Sequence, residues 1–322
     1  MTVADLSSDL VWAAATALTV AFVAFAIDLS RLGAKVPEPE VVTDAISDAD
    51  ADAPVAVAVA TPDRPASRKA AGIGISTGWL GTILLLAAIV TRGIAAGRAP
   101  WANMYEFTLV GAFVAMAVFL GVSLRRDVRF LGAFVTGLAV LFLVVAQNSF
   151  FLAATGVQPA LQSYWLVIHV GVAIIATGIF TVAFVLSLIQ LLRDSRETGN
   201  GFLGHPAWRW LDTTPRPGQL EALSFRLNAV AFVLWTFTII GGAIWAEHAW
   251  GRYWGWDPKE VWSFVVWVVY AAYLHARTTR GWSGRRAAYF VLVGYACVLF
   301  NFTGVNLIFN GKHSYSGITT QE

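Results

Sequence analysis

The sequence predicts an all-α polytopic membrane protein with about eight transmembrane helices and an external tryptophan-rich loop. Of its 322 residues, 57% are hydrophobic and only 13% are charged, well below the quarter that is usual in a soluble domain. The hydrophobic residues form spans of about twenty, the length that crosses a hydrocarbon core of about 30 Å. No basic stripe or nucleic-acid-binding motif is present. The spans lie near 9–27, 78–96, 103–122, 130–148, 164–191, 225–246, 261–279 and 287–309.

Composition divides the chain into four parts. Residues 1–27 contain the first span, and no Lys or Arg precedes its apolar run, so it does not have the pattern of a signal peptide. Residues 28–77 are rich in Ala, Asp, Pro and Val and predict a cytoplasmic, disordered linker. Residues 78–315 form the main membrane domain, with the tryptophan-rich loop at 245–262, and 316–322 are an external tail.

The distribution of Lys and Arg predicts the orientation, because cytoplasmic loops carry an excess of these residues. If the N-terminus is outside, the inner connections hold sixteen of them and the outer side holds five. This asymmetry places the tryptophan-rich loop, the 149–163 segment and the C-terminus on the outer face of the plasma membrane. The five outer residues are Arg92, Arg98, Arg252, Lys259 and Lys312.

The tryptophan-rich loop combines flat aromatic side chains with charges of both signs. An aromatic belt at the membrane interface accounts for one or two tryptophans but not for the W-G-W-D-P-K-E unit. A flat apolar ligand with acidic edges, such as a porphyrin with two propionates, suits this surface. Arg252 and Lys259 can pair with such carboxylates, or Asp257 can hold one of them in a structural salt bridge; the sequence leaves both open. The five tryptophans are Trp245, Trp250, Trp254, Trp256 and Trp262.

The histidines suggest iron ligation. His169 lies near the outer end of the fifth span and His313 lies in the outer tail, so both can reach the loop. Neutral imidazoles commonly bind haem iron from opposite faces, and these two residues predict a bis-histidine site. His275 lies about 22 Å deeper than Glu260 if the seventh span is helical. It predicts a second haem position completed by another protein, unless it is a helix-end histidine at the cytoplasmic surface.

Three further residues have simpler interpretations. His248 lies beside Trp250 and is predicted to be a hydrogen-bonding neighbour of the site, whereas His205 is expected on the surface. The single cysteine, Cys297, lies inside an apolar run and is expected to be a small core residue. Without a C-x-x-C motif, thiol–disulfide exchange by this chain is not expected.

The tryptophan-rich motif and four separated segments resemble one known family. W-G-x-Y-W-x-W-D-P-K-E-x-W is similar to the tryptophan-rich WWD signature of haem-handling proteins in cytochrome c maturation. P-W-A-N-M-Y-E at 100–106, the segment 159–170 ending near His169, Y-A-A-Y-L-H-A-R at 270–277 and the segment 304–315 occur in the same order. The chain therefore resembles the CcsA or ResC-like subunits of system II cytochrome c synthetases over roughly 78–315.

This resemblance implies a site and a set of partners. Haem iron would be bound by His169 and His313 outside the membrane, and by His275 within it together with a histidine of a ResB-type partner. Haem b would be presented to the C-x-x-C-H motif of apocytochrome c, and a thiol-reducing protein is a further possible partner. No catalytic residue is predicted. Trp250, Trp254, Trp256, Asp257, Arg252 and Lys259 are predicted haem contacts.

Three rival functions stay open from the residues. The chain could be a haem carrier that delivers to a separate chaperone, as in system I relatives of the same loop. It could be a b-type electron-transfer subunit, although such subunits pair histidines within the bilayer and only His275 is deep here. A scaffold without haem would purify colourless.

Overall fold

The protein is all-helical throughout the part that its computed structural model describes, residues 2–34, 68–154, 156, 163–199, 201–309 and 311–313. Helices are expected because a chain in lipid must satisfy its backbone hydrogen bonds internally. The helices are α1 (Val3–Ala34), α2 (Lys69–Ala96), α3 (Met104–Ser123), α4 (Gly132–Ser149), α5 (Tyr164–Glu197), α6 (Pro217–Trp250), α7 (Pro258–Thr279), α8 (Arg285–Phe302) and α9 (Gly304–Ile308).

Seven of the described helices are long and apolar enough to cross a membrane, and together they confirm the multi-pass fold. The remaining predicted span, 261–279, corresponds to α7, which has 22 residues but is not among the seven. Its start is charged, with Lys259 and Glu260, and its interior is rich in Trp and Tyr, whose polar atoms lower the mean hydropathy. Several helices extend beyond their apolar spans; α5 and α6 reach 34 residues each.

Contacts between helix ends show that successive long helices run antiparallel. The hydroxyl of Ser7 in α1 donates to the carbonyl of Ala88 in α2 at 2.9 Å, and Gln147 of α4 donates to the carbonyl of Ser8 at 3.2 Å. Phe302, at the end of α8, stacks on Phe107, near the start of α3. The end of the bundle marked by these contacts, which also contains the start of α5 and α7, is called the cavity end below.

The opposite end of the bundle, the far end, holds several ion pairs. Arg68 before α2 pairs with Asp28 of α1, and Arg277 of α7 pairs with Glu221 of α6 at 3.0 Å. Arg193 near the end of α5 pairs with Asp212 of a 3₁₀ segment, Pro206–Thr213, at 3.0 Å. The described connections that are rich in Lys and Arg therefore lie together at one end of the molecule.

Two apolar cores organise the bundle. One is formed mainly by α1–α4 and includes Phe25, Met116 and Phe119; the other is formed by α5–α8 and includes Phe180, Trp235 and Tyr270. Residues 35–67, most of the predicted linker, lie outside the described residues, as do 314–322 in the tail. The second core carries the candidate site.

Candidate functional site

A cavity of about 200 Å³ opens at the cavity end between α3, α5, α6, α7 and α8. It extends from the loop between α6 and α7 down to Thr177 and Thr238, which lie well inside the bundle. Four residues that the sequence singled out line it: His169, Trp254, Lys259 and His313. Further lining residues that matter below are Trp101, Trp245, Glu260, Ser263, Asn301 and Asn306.

His169 lies in the second turn of α5, which begins at Tyr164 after the Ser163 side chain caps it. The Nδ1 atom of His169 lies 2.9 Å from the carbonyl oxygen of Trp165. A carbonyl only accepts hydrogen bonds, so Nδ1 carries the proton and Nε2 is left as a lone-pair donor. On α6, Gly241 and Gly242 face this histidine; a Cβ atom on Gly241 would lie 3.1 Å from the Cβ of His169.

His313 is held by Asp257, the residue that begins α7. Nδ1 of His313 lies 2.7 Å from the Asp257 carboxylate, which also accepts the backbone N–H groups of Lys259 at 3.0 Å and Lys312 at 2.6 Å. As at His169, this arrangement protonates Nδ1 and leaves Nε2 as the lone-pair donor. A hydrogen bond of this kind from the second nitrogen of a histidine to a carboxylate is typical of metal-binding histidines.

The same contacts explain the charge of Asp257. Burial alone would raise the pKa of this carboxyl, but the hydrogen bond from His313, the positive charge of that imidazole when it is protonated, and the backbone N–H groups of Lys259 and Lys312 lower the pKa to about 2. Asp257 is thus an anion that ties the C-terminal tail to the start of α7. It does not form the salt bridge with Arg252 or Lys259 that the sequence left open; Lys259 instead donates to the carbonyl of Asn301 at 2.7 Å.

The indole of Trp245 contacts both imidazoles. Its ring centroid lies 5.3 Å from that of His169 in a stacked arrangement and 5.6 Å from that of His313. Trp250 packs against Trp245 at 4.8 Å and against His313 at 4.9 Å, behind the cavity wall. Trp245 is 1% exposed. The two predicted iron ligands therefore lie at one aromatic cluster, on the same end of the bundle.

Four buried polar atoms that line the cavity have no hydrogen-bond partner among the described residues. They are Nε1 of Trp101, Nε1 of Trp245, Oε1 of Glu260 and Oδ1 of Asn301. Buried polar groups in folded proteins are nearly always hydrogen-bonded to protein or water. The unpaired indole N–H groups and the amino group of Lys259 give the cavity donors suited to carboxylates.

The tryptophan-rich stretch 245–262 is mostly helical, unlike the open connection that the sequence suggested. α6 continues to Trp250 and ends at Gly251, whose φ of 70° is the left-handed conformation that glycine readily adopts. α7 begins at Pro258, with Asp257 as its N-cap. Residues 251–257 are irregular. This segment is short because Gly251 ends α6 and Asp257 caps the start of α7 only six residues later.

Glu260 fixes the conformation of this short loop. Its Oε2 atom accepts the backbone N–H groups of Gly255 at 2.7 Å and Asp257 at 3.0 Å. Between them, Trp256 adopts φ of 60°, which is unusual for a residue with a side chain, and its side chain is 77% exposed. Trp256 therefore points away from the cavity, whereas Trp254 lines it and contacts Trp256 edge-on at 5.8 Å.

Arg252 packs over the backbone of Gly255, where any Cβ atom would lie 0.7 Å from the Arg252 Nη1. This explains the glycine between the two tryptophans Trp254 and Trp256. Arg252 is not one of the cavity-lining residues. The Arg252 guanidinium can therefore contact a carboxylate at the mouth of the cavity, rather than one inside it.

His275 lies apart from the cavity. It is four residues from the end of α7, at the far end of the bundle, and its side chain is exposed. The opposite face of α7 packs through Val266, Tyr270 and Tyr273, which are buried. The helix thus presents His275 outward, where a ligand or a neighbouring protein can reach it.

The other singled-out residues lie outside the cavity lining. His248 is exposed and bonds through Nδ1 to the carbonyl of Ile244 at 2.8 Å. His205 is exposed and caps the 3₁₀ segment. Cys297 is half-buried among the apolar residues of α5–α8. Glu106 pairs with both Arg92 and Arg98 and bonds to the Ala102 backbone.

Residues 101–313 match the family described as Cytochrome C assembly protein. The chain belongs to this family. The match begins at Trp101 and ends at His313, so every residue that lines the cavity falls within it.

Relatives of the same kind occur in cyanobacteria and in an alga. The chain is 36% identical over 252 residues to the Cytochrome c biogenesis protein CcsA of Synechococcus sp. (strain CC9902), covering 72% of this chain and 83% of the relative. It is 36% identical to that of Prochlorococcus marinus (strain MIT 9303), covering 73% and 81%, and 33% identical to that of Guillardia theta, covering 76% and 85%. These similarities confirm the family resemblance seen in the sequence.

A solved structure titled Cytochrome c Heme Lyase CcmF has a similar fold. It aligns with a TM-score of 0.63 and 16% identity, covering 94% of this chain and 47% of that chain. The chain therefore spans about half the length of this neighbour. At this identity the likeness concerns the helical fold alone.

Several cavity residues carry weak sequence signals. Trp101 belongs to the P-W-A-N-M-Y-E motif and Glu260 to the tryptophan-rich motif, so both could have been added to the predicted contacts. Asn301 and Asn306 are polar residues inside an apolar run, a pattern that is often functional. Gly241 and Gly242 gave no signal, because their role depends on the approach of α5.

Proposed function

We propose that this chain binds haem b at the cavity, with His169 and His313 as the iron ligands, and presents it for covalent attachment to apocytochrome c. The observation that carries this proposal is the pair of imidazoles. Both line one cavity, both contact Trp245, and both use Nδ1 for an internal hydrogen bond and so keep Nε2 for a metal.

The rest of the cavity fits a porphyrin. Trp245 and Trp254 offer aromatic surface to the macrocycle, with Trp250 supporting them from behind. The unpaired indole N–H groups and Lys259 are donors for propionates inside the cavity, while Arg252 and the exposed Trp256 belong to the loop beside it. Because Trp245 contacts both imidazoles, its indole has to shift when a porphyrin enters between them.

The attachment chemistry needs little from the protein beyond placement. A cysteine thiol adds across a vinyl group, so that the sulfur bonds to one vinyl carbon and the proton ends on the other. Holding the vinyl edge at the cavity mouth turns this into a reaction between positioned groups, which accounts for a large part of the rate enhancement in such systems. The clients carry reduced C-x-x-C-H motifs, kept so by a thiol-reducing protein.

We further propose that His275 binds a second haem in the membrane, with its other axial ligand supplied by a ResB-type partner. The exposed position of His275 on α7 supports a site shared between chains. The Lys- and Arg-rich far end supports a cytoplasmic location for that end, and we therefore infer that the cavity opens on the outer face of the plasma membrane.

Absorption spectra of purified variants test the iron ligands. His169→Ala and His313→Ala are each expected to lose the bis-histidine spectrum of the cavity haem. His248→Ala is the matched control, because His248 also bonds through Nδ1 to a backbone carbonyl of its helix but lies outside the cavity. A wild-type spectrum in either ligand variant would overturn the assignment.

Reconstitution tests the function beyond binding. The chain and a ResB-type partner are expected to produce c-type cytochrome in a host that lacks other maturation proteins. Haem binding without product in that host would instead favour the carrier that delivers to a separate chaperone.

A further inference from the structure

Single polar groups occur at several levels within the otherwise apolar interior of α5–α8. Among the described residues, every buried side-chain polar atom without a hydrogen-bond partner lies in these helices or lines the cavity, and none lies in α1–α4. Polar groups inside membrane bundles are rare and often mark routes for protons or ions. Besides the four cavity atoms, they are Gln190 Oε1, Asn228 Oδ1, Tyr270 OH and two atoms that face each other in an ion pair, Glu221 Oε1 and Arg277 Nε.

The polar groups begin at the far end. The Glu221 carboxylate accepts the backbone N–H of Gly284 at 2.9 Å and lies 3.0 Å from Arg277. Gln190 of α5 donates to the carbonyl of Gly284 at 3.1 Å. These contacts connect α5, α6 and α7 with the residue that precedes α8. The exposed Arg280, in the connection between α7 and α8, marks where this end of the bundle meets water.

A second level lies further into the bundle. The hydroxyls of Ser187 and Ser224 are 2.8 Å apart, and the Asn228 amide donates to Ser224 at 3.2 Å. Tyr273 of α7 is buried at this level, where its ring packs against Phe225 of α6 with centroids 6.3 Å apart. Ser187, Ser224 and Asn228 are buried as well.

A third level reaches the cavity floor. The Tyr270 hydroxyl has no partner, and its ring rests on Gly294, where a Cβ atom would lie 2.9 Å from the ring. The neighbouring Tyr295 shares a hydrogen bond of 2.9 Å with Thr181. Thr181 in turn donates to the carbonyl of Thr177, which lines the cavity.

One gap separates the second and third levels. Tyr270 is three residues from Tyr273 on α7, a rise of about 4.5 Å. Asn228 Oδ1 on α6 and Tyr270 OH on α7 each have no hydrogen-bond partner among the described residues, and the path proposed below needs a water molecule between them. The rings of Phe180 and Tyr270 stack with their centroids 3.9 Å apart. They leave no passage for a molecule as large as haem along this series of polar groups.

We propose that α5–α8 conduct protons between the far end and the cavity, so that a proton enters from the far side when haem iron in the cavity is reduced. This proposal rests on the haem site proposed above. A one-electron donor supplies the electron. The proton moves by exchange of O–H bonds along the hydroxyls and the water between them, then through water in the cavity from Thr177 to Oε1 of Glu260. This oxygen is buried and has no partner among the described residues. No other bond forms or breaks.

The surroundings of Glu260 define the charges that act on this proton. α6 contributes the neutral Trp245 and α8 the neutral Asn301, both with unpaired polar atoms. The titratable or charged groups at this cavity wall are His169 of α5, Lys259 of α7, Asp257 at the loop end and His313 of the tail.

The experiment uses the haem-loaded full chain in vesicles that contain a trapped pH-sensitive dye. Dithionite outside does not cross the bilayer, so it reduces only molecules whose cavity faces outward and whose far end faces the lumen. The lumen is expected to become more alkaline by about one proton per iron reduced, because an uncompensated buried charge is costly. Haem reduction itself is followed by absorbance.

Two variants interrupt the series of polar groups and keep the packing of the side chains around them. Tyr270→Phe keeps the ring that stacks on Phe180 but removes the unpaired hydroxyl, and Asn228→Leu removes the amide. Both are expected to slow lumenal alkalinisation by about tenfold or more, since a relay needs every hydroxyl step. Tyr289→Phe, at an exposed tyrosine of α8, is the control and keeps the wild-type rate.

The outcomes separate the two proposals. Normal haem reduction without a lumenal pH change in the wild-type protein overturns the proton path and leaves the haem site standing. An unchanged rate of lumenal alkalinisation in both variants also overturns the proton path, and the buried polar groups then have only a structural role. Absence of a haem spectrum in the wild-type protein overturns the proposed function instead.

Discussion

Replacing Gly241 with alanine gives a direct measure of how closely α6 supports His169. A Cβ atom at this position would lie 3.1 Å from the Cβ of His169, closer than ordinary carbon contacts. Overpacking of this kind costs about 1–3 kcal/mol. Because the contact is with the ligand histidine, we expect the ring to move and the cost to appear in haem binding. The dissociation constant should rise about 5- to 150-fold, at 1.4 kcal/mol per factor of ten.

The assay is a haemin titration of the purified protein, followed by absorbance, with a thermal melt of the same samples. Gly242→Ala is the control, because its Cβ would lie 3.7 Å from the imidazole, an ordinary contact. We expect it to bind haem like the wild type. Equal affinities for the Gly241→Ala protein, Gly242→Ala protein and wild type would refute the reasoning, whether or not the melting temperature falls.

Three further changes test other contacts of the site and its support. Asp257→Asn should lower the free energy of unfolding by about 2 kcal/mol at neutral pH, because the folded pKa of about 2 lies below the ordinary 3.8. In the wild type this stability is present above about pH 4 and is lost as the pH falls toward 2, so the melting temperatures of the two proteins should converge at low pH. Glu106→Ala leaves Arg92 buried without its carboxylate and should lower stability by about 3–5 kcal/mol; an unchanged melting temperature contradicts this. Gly255→Ala displaces Arg252 and should weaken haem binding as much as Arg252→Ala does, and a different loss in titrations would argue against a propionate contact.

The helix order was predictable because lipid thickness sets the length of apolar spans, and the long helices follow the predicted spans in order. Helix ends were less predictable, since caps rather than apolar length determine them. Gly251 ends α6 and Asp257 begins α7, so the loop between them is shorter than the tryptophan-rich motif suggested. α7 shows the limit of hydropathy, because its aromatic side chains pack well but count as weakly apolar.

The candidate site was predictable only in part. The topology argument brought His169 and His313 to the same end, and in the structure they line one cavity. The sequence did not decide what Asp257 contacts, because hydrogen bonding to the tail depends on tertiary folding. Nor could it show that Trp256 points outward, which follows from the two backbone hydrogen bonds that Glu260 accepts. Whether these residues bind haem stays a prediction.

α7 carries Asp257 at one end and His275 near the other, eighteen positions apart along one continuous helix. At 1.5 Å per residue this amounts to about 27 Å, a spacing fixed by the helix itself. No single small molecule can touch both ends simultaneously, so anything that visits the two places must let go of the first before it is secured at the second. If haem visits both proposed sites, it would therefore be free of both between them, and a surface beside α7 would have to shield it during that interval.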